Sequence, residues 1–232
     1  MNPVMQLRPS VRLTEHRRYL VEGVARVVEK RFVNCPMESD FVDSAECSRC
    51  GHCAARIESP GLATRIECVP PTISRGRPAA DGSASPNAGA MATRAITLSE
   101  RSVLCVRPDL SLSHASSHAA RIGVRFIVAV DAAIRPLGAL SFDDLQRLQQ
   151  ATAGARFVMS DVMRPLRIGL PADVSVSLAT AALAQSSADE AVLVTGDGEV
   201  VALLRSIDLL RWYARQDGYV IGEGTDASAT PL

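Results

Sequence analysis

The 232-residue sequence predicts an α/β protein, of α+β layout, made of two tandem β-α-β-β-α repeats that form one pseudo-two-fold module. A small N-terminal helix and a cysteine-rich module are expected to precede them. Three observations predict this. Residues 104–148 fall on residues 168–212 without a gap when shifted by 64 positions, so that Asp109 meets Asp173, Ser111 meets Ser175, Val128 and Val130 meet Val192 and Val194, and Asp144 meets Asp208. Short apolar runs and alanine-rich stretches alternate in the same order in both copies, and a fixed offset of this kind marks a supersecondary unit that cannot bury its apolar face alone. Five of the six cysteines crowd into residues 35–68, outside the repeats.

Residues 1–33 are expected to be a helical segment. Thr14 can cap it, and Leu20, Val24, Val27, Val28 and Phe32 recur at three- and four-residue steps. Glu15, Arg18, Glu22, Arg26 and Glu29 would form its polar side, and the apolar stripe would cover part of the chain's own core.

Residues 34–70 form the cysteine module, with Cys35, Cys47, Cys50, Cys53 and Cys68 spaced C-x11-C-x2-C-x2-C-x14-C. In a reducing compartment such clustering points to metal rather than disulfides. Cysteines two residues apart can present both thiolates to one cation, and Cys35 and Cys68 look like strand ends that could pair antiparallel against that turn. Zinc is the first reading, with Cys35, Cys47, Cys50 and Cys68 as a tetrahedral set and Cys53 as a spare or substitute ligand. The triplet Cys47, Cys50, Cys53 also resembles the thiolate spacing of bacterial-type ferredoxins, which makes an iron–sulfur cluster the alternative. Cys105 lies in an apolar run and reads as a buried small hydrophobe.

Residues 71–95 are rich in Pro, Ala, Gly and Ser and are expected to be a flexible linker that leaves the cysteine module tethered. Repeat 1 (96–156) reads as a strand at 104–106, a helix at 111–122, strands at 126–130 and 137–140, and a helix at 143–150. Repeat 2 (157–217) reads as a strand at 168–170, a helix at 175–185, strands at 191–195 and 200–204, and a helix at 207–215. Ser111 and Ser175 can cap the first helices, and Gly198 supplies the positive φ of a hairpin turn. The tail, 218–232, is expected to be disordered.

These residues resemble tandem cystathionine β-synthase (CBS) domains. Asp161-Val162-Met163-Arg164-Pro165, Pro171-Ala172-Asp173-Val174-Ser175 and Ala202-Leu203-Leu204-Arg205-Ser206-Ile207-Asp208 carry the likeness in the second copy, and Pro108-Asp109-Leu110-Ser111 and Gly138-Ala139-Leu140-Ser141-Phe142-Asp143-Asp144 carry it in the first. The resemblance implies a homodimer and clefts for adenosine-containing ligands such as AMP, ADP or ATP. It places ribose on the aspartate and phosphate on the Ser/Thr of a Gly-h-x-Ser/Thr-x-x-Asp ending. Gly138, Ser141 and Asp144 match that pattern, whereas the second copy has Ala202 and Arg205 and keeps Asp208. Arg205 either holds a phosphate or fills the cleft. An aspartate at a helix start can equally serve as a cap or dipole partner.

Acidic and basic residues balance at 25 each, which disfavours nucleic acid and anionic membrane as partners. No apolar run reaches the roughly 18–20 residues of a membrane span. Arg8, Arg12, Arg17 and Arg18 are not followed by an apolar signal core, so the protein is expected in the cytoplasm. No catalytic constellation is present, and the expected function is non-catalytic regulation. A protein-interaction or dimerisation module without nucleotide, with an unknown partner, and an iron–sulfur redox sensor are the alternatives.

Overall fold

The computed structural model describes residues 10–23, 25–38, 40–57, 64–69, 93–151 and 156–221. In chain order the strands are β1 (Val11–Glu22), β2 (Arg26–Cys35), β3 (Asp40–Asp43), β4 (Cys53–Ile57) and β5 (Arg65–Cys68), followed by β6 (Ser102–Val106), β7 (Phe126–Val130) and β8 (Pro136–Ser141). After these come β9 (Arg164–Pro165), β10 (Gly169–Pro171), β11 (Glu190–Val194) and β12 (Val200–Arg205). The helices are α1 (Leu112–Ile122), α2 (Phe142–Ala151), α3 (Met159–Val162), α4 (Val176–Ser186) and α5 (Ser206–Gln216).

Both repeats fold as their patterns require. β6-α1-β7-β8-α2 and β10-α4-β11-β12-α5 repeat one order, with a parallel first pairing and an antiparallel hairpin in each. Ser111 and Ser175 accept backbone N–H bonds from His114 (3.4 Å) and Leu178 (3.2 Å), closing the first turn of α1 and α4. Cys105 is fully buried in β6, as expected for a small apolar side chain there.

The segment leading into each repeat packs on the other repeat. Arg94 bridges to Ser175, and Val158, the residue 64 positions on, bridges to Ser111. Ala95 N–H donates to the Val174 carbonyl at 2.8 Å, and Met159 N–H donates to that of Leu110 at 2.9 Å. Glu100 bridges to Leu203, while Arg164 in β9 pairs with Ala139 in β8. The same exchange made twice is the signature of a pseudo-two-fold axis between the repeats. Ala95 and Ile96 accordingly sit in the core of repeat 2, and Met159 sits in that of repeat 1. The expected linker lies outside the described residues up to 92; from Thr93 onward the chain is tied down, because Thr93 accepts from Val176 N–H at 2.8 Å.

The expected N-terminal helix is instead a β-hairpin. β1 and β2 pair antiparallel from Glu15↔Val33 to Glu22↔Arg26, and Gly23 takes φ +64° at the turn. The three- and four-residue spacing fitted a helix, yet that helix would have carried Gly23 in its interior and β-branched Val21, Val27 and Val28. What decides is the edge of β6, which β1 joins in parallel through Arg17↔Ser102 to Leu20↔Cys105. The hairpin and β3 also supply both cores: Val21 packs in that of repeat 1, and Phe32 of β2 and Phe41 of β3 pack in that of repeat 2. The cysteine module is therefore built into the sheet, since β5 pairs with the first residues of the same β1 strand, Val11↔Cys68 to Thr14↔Arg65. One sheet runs β3-β2-β1-β6-β7-β8-β9, with β5 and β4 branching from β1, and β10-β11-β12 form the second.

Candidate functional site

The four residues expected at a nucleotide site fall into two unlike settings, one in each repeat. In the first, β8 delivers Ser141 to the start of α2, where its hydroxyl accepts the Asp144 N–H at 3.0 Å. Asp144 is held between two arginines, with Arg147 Nη2 3.4 Å from Oδ1 and Arg164 Nη2 3.4 Å from Oδ2. A cavity of about 370 Å³ opens on these side chains, floored by Leu140, Leu148 and Val162. A second cavity of about 410 Å³ lies on the other side of Arg164, against Arg167, Ser187, Asp189 and Glu190. Burial pushes the Glu190 carboxyl up, Arg164 opposes that rise, and Asp189 and Asp144 add to it. The first turn of α2 already carries Asp143 and Asp144, so the helix N-terminus has its negative charge. The guanidinium groups beside it are those of Arg147 and Arg164.

Gly138 matters because the β9 segment crosses it. A Cβ there would meet the Arg164 carbonyl oxygen and the Met163 sulfur at 2.8 Å. The glycine of the sequence pattern thus admits the exchanged segment that brings Arg164 to Asp144.

In the second repeat Arg205 and Asp208 engage each other. Arg205 Nε donates to Oδ2 at 2.9 Å and Nη2 donates to Oδ1 at 2.8 Å, while the guanidinium lies 5.3 Å from the centre of the Phe126 ring. The position related to Arg164 by the repeat is Glu100, a carboxylate in place of a guanidinium. Asp208 therefore takes its cation from Arg205, which stands where the first cleft has Ser141. The sequence pattern named Ser141, Asp144, Arg205 and Asp208; it did not name Arg147, Arg164, Glu190 or Phe126, which reach the clefts through the exchange and through β-pairing. Comparing Arg164 with Glu100 across the offset was the available signal.

The five clustered cysteines converge. A 3-10 turn at Glu46–Arg49 and the following residues set Cys47, Cys50 and Cys53 in succession, with Cys50 N–H donating to Cys47 O (3.3 Å) and Cys53 N–H to Cys50 O (3.1 Å). Cys53 lies directly across from Cys68 in the β4–β5 ladder. Cys35 ends β2, two residues from Val33, which packs with Cys47 and Ile66. Cys35 and Cys68 both end strands, as expected, but each pairs elsewhere: Cys35 with Asp40, Cys68 with Val11 and Cys53. Burial pushes the Cys47 thiol up to about 11, with Cys53, Cys35, Cys50 and Cys68 adding to the rise. Burial likewise raises Cys68, with Cys35, Cys50 and Cys53 adding to it. All five are free thiols, and among the described residues, which include all five, no group of three or more His, Cys, Asp or Glu side chains is placed to hold a metal ion.

No protein-family model matches the chain, and no curated protein matches it. Among solved structures it is similar to CBSX2 in complex with AMP, at 20% identity and TM-score 0.39 over 55% of this chain and 99% of that one. It is also similar to the CBS domain pair of protein MJ0100 in complex with 5′-methylthioadenosine and S-adenosyl-L-methionine, at 14% identity and TM-score 0.43 over 53% and 98%. A third is the CBS domain of a CBS domain containing membrane protein from Sphaerobacter thermophilus, at 16% identity and TM-score 0.43 over 53% and 88%. Among the described residues no helix is long and apolar enough to cross a membrane.

Proposed function

We propose that this chain is a non-catalytic regulatory protein of the CBS-pair type that senses an adenine nucleotide in the Asp144 cleft. One observation carries the reading: the cavity of about 370 Å³ is open onto Asp144, Arg147 and Arg164, a carboxylate for ribose hydroxyls beside two guanidinium groups for phosphate. Ser141 still has its hydroxyl proton to donate. Arg205 and Asp208 are spent on each other, so the ligand is placed in the first repeat and the expected stoichiometry is one. The thiol cluster takes a metal ion, zinc in the first instance and an iron–sulfur cluster as the alternative, which stabilises a module too small to hold itself.

The test is thermal unfolding with AMP, ADP, ATP, S-adenosylmethionine and NAD. A ligand at 100 times its dissociation constant adds about 2.7 kcal/mol, a shift of several degrees. Loss of that shift in Asp144→Ala supports the site; no shift with any of the five ligands rejects it.

A second reading, a dimerisation module without nucleotide, is favoured by one observation. Leu178 on α4 and Leu210 on α5 are 61% and 63% exposed, and their repeat-1 counterparts are His114 and Gln146. A homodimer through these two helices would cover them. A dimer in light scattering that Leu210→Glu dissociates, together with no ligand shift, would establish this reading in place of the first.

A further inference from the structure

We propose that Cys53 and Cys68 are a redox modification site, which hydrogen peroxide converts to a cross-strand disulfide and a dithiol reductant reopens. This goes beyond the nucleotide reading and needs no metal; it concerns the free thiols, because sulfurs joined in a disulfide no longer ligate a cation.

The two cysteines stand opposite each other. β4 and β5 run antiparallel, with Cys53↔Cys68 as one register pair. Beside that pair Val69 N–H donates to the His52 carbonyl at 2.8 Å, while Cys53 turns its own N–H back to the Cys50 carbonyl at 3.1 Å. The hydrogen bond belongs to the neighbouring pair, so Cys53 and Cys68 hold a non-hydrogen-bonded position. That is the closer of the two kinds, with Cα atoms about 4.5 Å apart and side chains on one face. A disulfide spans Cα separations of roughly 4.4–6.8 Å, so the bridge closes with little movement of backbone.

The packing agrees with the register. Cys53 packs against Val33, Cys47 and Ile66, and Cys68 follows Ile66 by two residues on β5, which places it on the same face. Both thiols are free. The Cys53 Sγ–H donates to the Ala55 carbonyl at 3.9 Å, a bond too weak to hold the sulfur away from Cys68. The other three clustered cysteines have no cysteine across a ladder from them: Cys35 faces Asp40, Cys47 lies within the 3-10 turn and Cys50 ends it.

Exposure sets the order of the steps. Cys53 is half-buried and Cys68 is buried, so peroxide meets Cys53 first. The Cys53 thiolate attacks the O–O bond; a S–O bond forms, and the displaced hydroxide takes up the thiol proton and leaves as water. The Cys68 thiolate then attacks the Cys53 sulfur; the S–S bond forms as the S–O bond breaks, and hydroxide leaves with the Cys68 proton as a second water. In total two thiols are oxidised by two electrons and one peroxide is reduced to two waters. In a reducing compartment such a bond is transient, which suits a sensor.

The experiment uses the full chain, reduced and treated with a chelator, with its metal content measured. It is exposed to equimolar hydrogen peroxide, quenched with iodoacetamide, digested with trypsin without reduction and read by mass spectrometry. Trypsin releases Cys50 and Cys53 in residues 50–56, Cys68 in 66–75, and Cys35 with Cys47 in 32–49. The link between 50–56 and 66–75 should form at least tenfold faster than any link to 32–49, with fragment ions placing it on Cys53, and dithiothreitol should restore both thiols. In urea the preference should vanish in favour of cysteines close in the chain, since shorter loops close at less entropic cost. A bond on Cys50, a dominant link to 32–49, or the same preference in urea overturns the proposal. Thiols that stay reduced, with or without a metal that resists the chelator, overturn it too. None of these outcomes bears on the Asp144 site, whose test is the ligand-induced thermal shift.

Discussion

Arg205 and Asp208 engage each other through a two-point pairing at 2.9 and 2.8 Å, with the guanidinium over the ring of Phe126 of the other repeat. The corresponding pair in the first cleft, Ser141 and Asp144, makes one backbone cap and leaves the carboxylate facing two arginines. Two differences across the repeat, serine to arginine at 141/205 and arginine to glutamate at 164/100, accompany the change from a carboxylate between two arginines to one paired within its own helix turn.

Asp208→Ala should leave nucleotide affinity within about twofold and lower stability by about 2 kcal/mol, because it strands a half-buried guanidinium. Asp144→Ala should do the reverse. Its ion pairs are with largely exposed arginines and are worth below about 1 kcal/mol, while nucleotide binding is lost. Calorimetric titration and urea unfolding on the two variants separate these outcomes; equal loss of binding in both would reject the one-site assignment.

Gly138→Ala should destabilise by about 1–3 kcal/mol, since the added methyl meets the Arg164 carbonyl of the crossing segment as well as the Met163 side chain, and the backbone cannot swing away. Arg164 would be displaced from Asp144 in the same step. Denaturant unfolding checks the first effect and nucleotide titration the second; a variant as stable and as tight-binding as the parent would contradict the close crossing.

Stability should fall with acid through His16. Burial first, then Arg101, lower its pKa from 6.5 to about 4. The unfolded chain therefore takes up this proton before the folded one does. The contribution is complete above pH 6.5 and declines as the pH drops toward 4, by about 3 kcal/mol in all. His16→Leu should flatten that part of the pH–stability curve, and an unchanged slope would show that His16 is not its source.

Glu199→Ala should cost about 3 kcal/mol, because Arg18 at 1% exposure would keep one carbonyl and the face of Phe32 but lose its counter-charge. Arg18→Met with Glu199→Ala should recover much of that loss. A double-mutant cycle measures the coupling, and additivity would mean the pair is not interacting.

The repeats were legible because their signal is local. Alternation, capping serines and a glycine turn sit within each unit, and a 64-residue offset states them twice. The hairpin was not legible: Leu20, Val24, Val27, Val28 and Phe32 satisfy a helical period, and only the open edge of β6, some eighty residues away in sequence, makes strand the better outcome. The site was half legible, since the sequence marks Ser141 and Asp144, while Arg164 shows only as a difference from Glu100 across the offset and its approach to Asp144 depends on the exchanged segment.

The sequence by itself determined two copies of one β-α-β-β-α unit, their helix caps and turns, and a set of five cysteines apart from them, because each of these depends on residues close in the chain. Only the tertiary structure decided that lead-in segments exchange between repeats, that Asp144 faces arginines beside a cavity while Asp208 pairs with Arg205, and that the cysteine segment joins the sheet of the first repeat through β1. These depend on which surfaces meet across a pseudo-two-fold axis and on which strand finds a free edge. Those are energies of pairing between distant segments, and no local pattern encodes them.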